Sequence, residues 1–446
     1  MSVSKTLDVN EVFDDLPFSA YQIGICVLCF IVVFFDGFDL TVIGVAIPGM
    51  MKHLGVTPAE IGAAVSAGQL GPMVGAIILG MVADKYGRKK TMFGSALVFG
   101  FFTYMTVHIT SCTELGIYRF LAGLGMGGVI PNALAFGSEY APSRLRAGLS
   151  LYMWAGMPTG AMIAAFAASY LLPHWGWQSV FYVGGLAPVA IAFLVLIMLP
   201  ESIAHLVKSG NSEKAKTIVK KIDKASTLDL SAGLRITEPG QQKKSGMRAL
   251  FSGDFAKTTS LLWLLFFLSF YLLWVLFSWV PTLLKQAGAT TEQFSIGFAF
   301  IHMGSVIACL CIGTLMSKFN KLNVVKYLFL GAFIAMLAFG YFASHAFTII
   351  LLVSIFTGML VNGGNSSLMG LASAVYPSDV RGSGIGCAYG IGKVGTLIAP
   401  LAGGLYLEAG WSVLKICSIN SISALVIMVI VVMLQKHMRS TAAGEA

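Results

Sequence analysis

Apolar residues run along this chain in long blocks rather than in alternation. Twelve stretches, at roughly 21–49, 59–83, 91–111, 115–137, 146–173, 178–199, 258–284, 291–316, 324–345, 347–373, 382–407 and 411–435, reach the approximately 20 residues a helix needs to cross a bilayer core. Polar residues gather in short loops between them. The exception is 200–257, which holds 11 Lys/Arg and 6 Asp/Glu and separates six spans from six. The pattern predicts an all-α polytopic membrane protein of twelve transmembrane helices: a six-helix bundle over 1–199, a cytoplasmic central loop over 200–257 and a second six-helix bundle over 258–446. Within the loop, Ser212 to Ala225 reads as a short surface helix whose Ile218, Val219 and Ile222 rest on the inner membrane face.

Composition strengthens this picture. Of 446 residues, 57% are hydrophobic and 11% charged, whereas a soluble chain carries about 25% charged residues. That excludes a cytosolic enzyme, a nucleic-acid-binding domain and a secreted disulfide scaffold. All seven Cys lie in apolar runs and read as packing residues; Cys26 and Cys29 have redox spacing but no second ligand pair. We expect no cofactor and no metal. The acidic first twenty residues (Asp8, Glu11, Asp14, Asp15) predict no cleavable signal peptide.

The net charge of +9 matters less than its placement. With the N-terminus inside, inward loops and tails carry 24 Lys/Arg and outward loops three, Lys52, Lys285 and Lys415. This asymmetry predicts cytoplasmic N- and C-termini in a bacterial inner membrane. The halves also echo each other. Gly80-Met-Val-Ala-Asp84-Lys85 returns as Gly313-Thr-Leu-Met-Ser317-Lys318, and Tyr140-Ala-Pro142-Ser143-Arg144-Leu-Arg146 returns as Val375-Tyr-Pro377-Ser378-Asp379-Val-Arg381. Repeated six-helix halves predict a transporter with its binding site at the midplane between them.

Specific motifs agree. Gly80-x-x-x-Asp84-Lys85-x-Gly87-Arg88-Lys89 and Arg119-x-x-x-Gly123-x-Gly125-x-Gly127-x-x-x-Pro131 resemble signatures of the major facilitator superfamily. Asp36-Gly37-Phe38-Asp39 in the first span, with Gly44, Pro48 and Leu16-Pro17-Phe18-Ser19-x-Tyr21-Gln22, resembles its aromatic acid:proton symporter family. The resemblance implies that Asp36 and Asp39 couple transport to protons. It also implies that a span-11 cation meets the substrate carboxylate, and that Asp84 braces the outward-open state near the start of span 11. Gly80, Asp84, Arg88, Glu139, Arg146 and Arg381 are the expected gating residues. Gly123-x-Gly125-x-x-Gly128 matches a dinucleotide fingerprint but lacks a preceding strand, so it reads as helix packing.

Four ionisable residues stay inside the spans: Asp36, Asp39, Arg119 and Lys393. Each costs about 2.5–3.5 kcal/mol at the bilayer centre, which calls for a function. Asp36 and Asp39 share one helix face. Neighbouring carboxylates resist ionising together, so one is poised to take a proton while Arg119 keeps its nearer partner charged. Lys393 lies about 16 Å from the inner end of span 11, with no acid at its depth in the second half. It is a receptor for an anion, although the family generally places Arg there. Asn132, Asn365, Trp154, Tyr389 and His302 are, with Arg119 and Lys393, the candidate substrate contacts, each aromatic having packing as its competing role. The expected activity is import of a benzoate- or hydroxybenzoate-class carboxylate with protons, by a monomer that binds no nucleic acid. A symporter of a non-aromatic organic anion and a proton-driven drug exporter are the alternatives.

Overall fold

The computed structural model describes residues 6–8, 12–14, 16–223, 233–235, 250, 255–376 and 378–444. Lys5, Lys224, Lys243, Lys244 and Arg248, counted above among the inward charges, lie outside them. The first six spans are α1 (Ala20–Leu54), α2 (Pro58–Tyr86), α3 (Arg88–Met105), α4 (Cys112–Glu139), α5 with α6 (Ser143–Trp154, Gly156–Trp175) and α7 (Gln178–Met198). Two short helices follow, α8 (Ile203–Lys208) and α9 (Ser212–Ile222). The remaining spans are α10 (Phe255–Gln286), α11 (Thr291–Lys318), α12 (Lys321–Phe342), α13 (Phe347–Val375), α14 (Ser378–Glu408) and α15 (Val413–Gly444).

Eleven of the described helical segments are long and apolar enough to cross a membrane. Helix α3 is not among them: its 18 residues begin Arg88-Lys89-Lys90, and a 3-10 turn at Thr106–His108 extends it. The fifth span is broken at Ala155. Pro158 lacks the N–H that would bond back to Trp154, so the helix parts one turn before it.

Helix starts are chemically marked. Ser19 with Gln22, Thr57 with Glu60 and Thr290 with Gln293 form reciprocal capping boxes at α1, α2 and α11. Helix pairing repeats between the halves: α2 packs on α4 as α11 packs on α13, and α3 on α7 as α12 on α15. The α2–α4 contact is the most extensive. A side chain at Gly71 or Gly75 would strike the α4 backbone at Phe120 or Leu124, and one at Gly127 would meet Ala76 N at 2.5 Å. Close packing therefore explains the glycine run of α4.

One expectation for the loops is corrected. The apolar face of α9 (Ala215, Ile218, Val219, Ile222) is buried in a cluster with Val12, Phe13, Leu199, Ile203 and Leu206, so it rests on protein rather than on the membrane. A two-stranded parallel pairing, β1 (Thr6–Asp8) with β2 (Gly233–Arg235), joins the N-terminal segment to the central loop.

The halves meet through α6–α11, α2–α14 and α1–α10. On the face opposite the basic loops they close tightly. Leu401 N donates to Ser66 Oγ at 3.1 Å, Gly404 lies against Pro58, and Gly62 lies against Pro400 and Trp279, which the second half ties together by a Trp279 Nε1 to Pro400 O bond of 2.9 Å. On the basic face they part: a Cβ at Gly80, Gly148, Gly382, Gly386 or Gly390 would meet nothing within 4 Å.

Candidate functional site

Helices α1, α3 and α4 converge on one carboxylate. Arg119 donates from Nη1 to Asp39 Oδ1 at 3.0 Å and from Nη2 to Oδ2, while Thr103 Oγ1 adds a third bond to Oδ1 at 3.0 Å. Asp39 is fully buried and the Arg119 side chain 8% exposed. Gly68 on α2 makes room, its place for a Cβ lying 2.8 Å from Arg119 Cβ. Breaking a buried pair of this kind costs about 3–5 kcal/mol, because the survivor keeps an uncompensated charge.

Asp36, one turn earlier, stands differently. It is 4% exposed, and its Oδ1 has no hydrogen-bond partner among the described residues. The charges that act on it are those of Asp39 and, across the interface between the halves, Lys393. Lys393 is half-buried and forms no ion pair among the described residues. Its ammonium lies over the Tyr389 ring at 5.4 Å, and Tyr389 meets Phe270 edge-on at 5.3 Å. Phe270 in turn packs on Gly392, so glycine lets this aromatic floor form beside the cation. With Gly390 open on the same helix, the arrangement is a cation over the Tyr389 ring, with Phe270 edge-on to that ring.

The other expected contacts are distributed. His302 is buried on α11 and bonds Thr41 of α1 across the interface at 3.2 Å. It sits between Phe277 and Phe298, and its Nδ1 has no partner among the described residues. Asn365 donates to Ser269 Oγ at 3.0 Å, tying α13 to α10. Asn132 donates to Gly128 O of its own helix at 2.7 Å. Trp154 is half-buried at the break in the fifth span. Arg119, expected to contact substrate, is occupied by Asp39. The cavity beside it measures about 30 Å³, a single water's share and too small for an aromatic ring. No cluster of potential metal ligands occurs among the described residues.

At the basic face, the gating set is only partly assembled. Arg88 pairs with Glu139 at 2.9 Å, and Glu139 accepts from Ser202 Oγ at 2.6 Å. Asp84, expected at the start of span 11, is exposed and makes no ion pair among the described residues. Arg381 donates to Tyr376 O at 3.2 Å, and Arg146 to Ala141 O at 3.4 Å.

The acid that meets the α3 N-terminus is Glu201, which the sequence reading missed. It accepts from Lys89 N at the start of α3 at 3.1 Å, where Gly87 (φ 98°) brings the backbone against its carboxylate. Tyr140 Oη donates to Glu201 O and Gln22 Nε2 donates to Tyr140 O, both at 2.7 Å, joining α1, α3, α4 and the α7 exit. An acid placed just after an apolar span, in Pro200-Glu201-Ser202, was the available signal. Thr103 and Thr41 carried none, since their partners depend on helix rotation.

This fold, a repeated helix pairing around an interface holding buried acids and a cation with no ion pair among the described residues, defines a membrane carrier of solutes rather than an enzyme. A profile of the major facilitator superfamily matches residues 29–346, and the chain belongs to that superfamily, among its aromatic-acid transporters. It is 34% identical over 423 residues to the 4-hydroxybenzoate transporter PcaK of Acinetobacter baylyi, covering 94% of this chain and 92% of that protein. It is 31% identical over 410 residues to a gallate transporter of Pseudomonas putida, covering 92% and 90%. Among solved structures, the partially occluded inward-open xylose transporter XylE of E. coli superposes with a TM-score of 0.71 at 15% identity, over 92% of this chain and 97% of that one.

Proposed function

We propose that this chain imports a monocyclic aromatic carboxylate together with protons by alternating access, as a monomer in a bacterial inner membrane with both termini cytoplasmic. The observation that carries the reading is Lys393: a cation without an ion-pair partner among the described residues, over the Tyr389 ring and within electrostatic reach of a buried acid with an unpartnered oxygen. A benzoate-like anion supplies both things this place lacks, a negative charge for the ammonium and a ring for Tyr389 and Phe270. Relatives named for 4-hydroxybenzoate and gallate transport support this substrate class.

Asp36 is the proton carrier in this reading. Asp39 is held as an anion by Arg119 and Thr103, and a second ionised acid beside it is disfavoured. Substrate charge at Lys393 reduces the cation's pull on Asp36 and favours proton uptake there, which links the two loads. Gly80, Asp84, Arg88, Glu139, Arg146 and Arg381 form the gate. It is open at the basic face here, and Asp84 closes on the α14 N-terminus in the opposite state.

The test is uptake of radiolabelled 4-hydroxybenzoate, benzoate and gallate into proteoliposomes under an imposed inward proton gradient. Accumulation of at least one acid that collapses with an uncoupler is expected. Uptake of non-aromatic organic anions alone would overturn the substrate class, and gradient-independent equilibration would overturn the coupling. Labelling of engineered cysteines in the 84–90 loop by an impermeant reagent, on cells against inverted vesicles, tests the orientation.

A further inference from the structure

Helices α2, α3 and α4 enclose a groove of about 430 Å³ on the basic-loop side of the molecule. Gly75, Ile78, Leu79, Val82 and Tyr86 line it from α2, Lys90 and Ser95 among others from α3, and Leu124 and Gly125 from α4. Ile78 and Tyr86 are exposed, so the groove opens to the membrane.

Its length matches one leaflet. Tyr86 to Gly75 is eleven residues of helix, about 16 Å, against about 15 Å for half of a 30 Å hydrocarbon core. Its mouth is basic. Lys90 lines the rim, and Lys85 sits over the Tyr86 ring at 5.3 Å. Arg88 is engaged with Glu139 and the Glu201 carboxylate with the Lys89 N–H, and the exposed Asp84 is the only acid between residues 80 and 98. Five residues below Lys90, about 7.5 Å deeper, Ser95 is 2% exposed and its hydroxyl has no partner among the described residues. That hydroxyl is enclosed against Gly128 of α4, so Ser95 floors the groove from behind.

A second groove, of about 600 Å³, lies between α2 and α4 near their opposite ends. Its lining includes Glu60 and no Lys or Arg. Two apolar grooves with opposite rims make charge the discriminating feature.

We propose that the α2–α3–α4 groove binds an acidic phospholipid, with an acyl chain along α2 and the headgroup phosphate held by Lys90 and Lys85. Its place in the inner leaflet rests on the orientation proposed above. Labelling of Lys90→Cys from outside intact cells would overturn that placement without touching the binding result.

The experiment is native mass spectrometry of the purified full chain titrated with dioleoyl phosphatidylglycerol or dioleoyl phosphatidylcholine. Phosphatidylglycerol should bind more tightly. Each neutralised lysine should weaken it about fivefold, so Lys85→Gln/Lys90→Gln should weaken it about 25-fold and leave phosphatidylcholine unchanged. Lys85→Arg/Lys90→Arg should retain binding. Gly94→Leu should weaken both lipids by filling the groove, where an added Cβ meets nothing within 4 Å. Equal affinity for the two lipids, or an unchanged phosphatidylglycerol constant in the double Gln variant, would overturn the proposal. Displacement by glycerol phosphate at matched concentration would assign the basic rim to free phosphate instead.

Discussion

Replacing Lys393 by Met should weaken substrate binding roughly 10- to 150-fold. The magnitude follows from what the ammonium touches. It makes no ion pair among the described residues, so its removal strands no bonded acid and the fold should persist. Its contact with Tyr389 at 5.4 Å is present with or without substrate and cancels. What remains is one charge-assisted hydrogen bond to the carboxylate, about 1.5–3 kcal/mol, which converts to the stated range. Lys393→Arg should retain part of the affinity, since a guanidinium restores charge with a different reach. Isothermal titration of purified protein with 4-hydroxybenzoate measures this directly, with the unfolding midpoint as the folding control. Wild-type binding should also tighten as pH falls and Asp36 takes its proton, whereas Lys393→Met should blunt that dependence. A Kd within twofold of wild type in a folded Lys393→Met would refute the reasoning and place the carboxylate elsewhere.

Asp36→Asn should bind substrate and exchange it yet fail to accumulate it against a gradient, read by counterflow against gradient-driven uptake; full accumulation would remove Asp36 as the carrier. Thr41→Val deletes the bond to His302 between halves, about 0.5–1.5 kcal/mol, so cysteine accessibility should shift roughly 2- to 12-fold toward the state open on the other face. Asp14 accepts from the Ser143 N–H at the start of α5, and that hydroxyl and backbone contact lowers its pKa below 3.8. A depressed carboxylate stabilises above its unfolded pKa and loses that contribution as pH falls through the folded value. Asp14→Ala should therefore lower the unfolding midpoint slightly at pH 7, with the gap from wild type shrinking as pH drops below 3.8. Glu201→Gln should weaken the α3 start and speed amide exchange at Lys89 and Lys90, measured by hydrogen–deuterium exchange.

Much of this architecture is legible in one sequence because the bilayer imposes a single rule on every span. Blocks of apolar residues announce helices, and a charge that survives inside one announces a partner or a task. Asp36, Asp39, Arg119 and Lys393 were found that way. Which acid Arg119 takes was not legible, because three residues of spacing leave both on one face and the choice depends on how α1 and α4 cross. Thr103 joins Asp39 for the same reason. The break at Ala155 had its cause in view at Pro158, but its position depends on where neighbours support the parted turn. Helix α9 was misplaced because an amphipathic face fits a membrane surface or a protein surface equally well, and only Val12, Phe13 and Leu206 decide between them.

The closed face is sealed by backbone carbonyls, a tryptophan and glycines, and among its named contacts there is no ion pair. Such a seal has no electrical signature: salt does not screen it and membrane voltage does little work on it. Its strength is set by fit. At Gly404 a single methyl would press on Pro58 O, and at Gly62 on Pro400 O at 2.6 Å. One added carbon at either glycine acts as a doorstop, and the carrier's directional bias becomes a matter of side-chain volume at two positions rather than of charge.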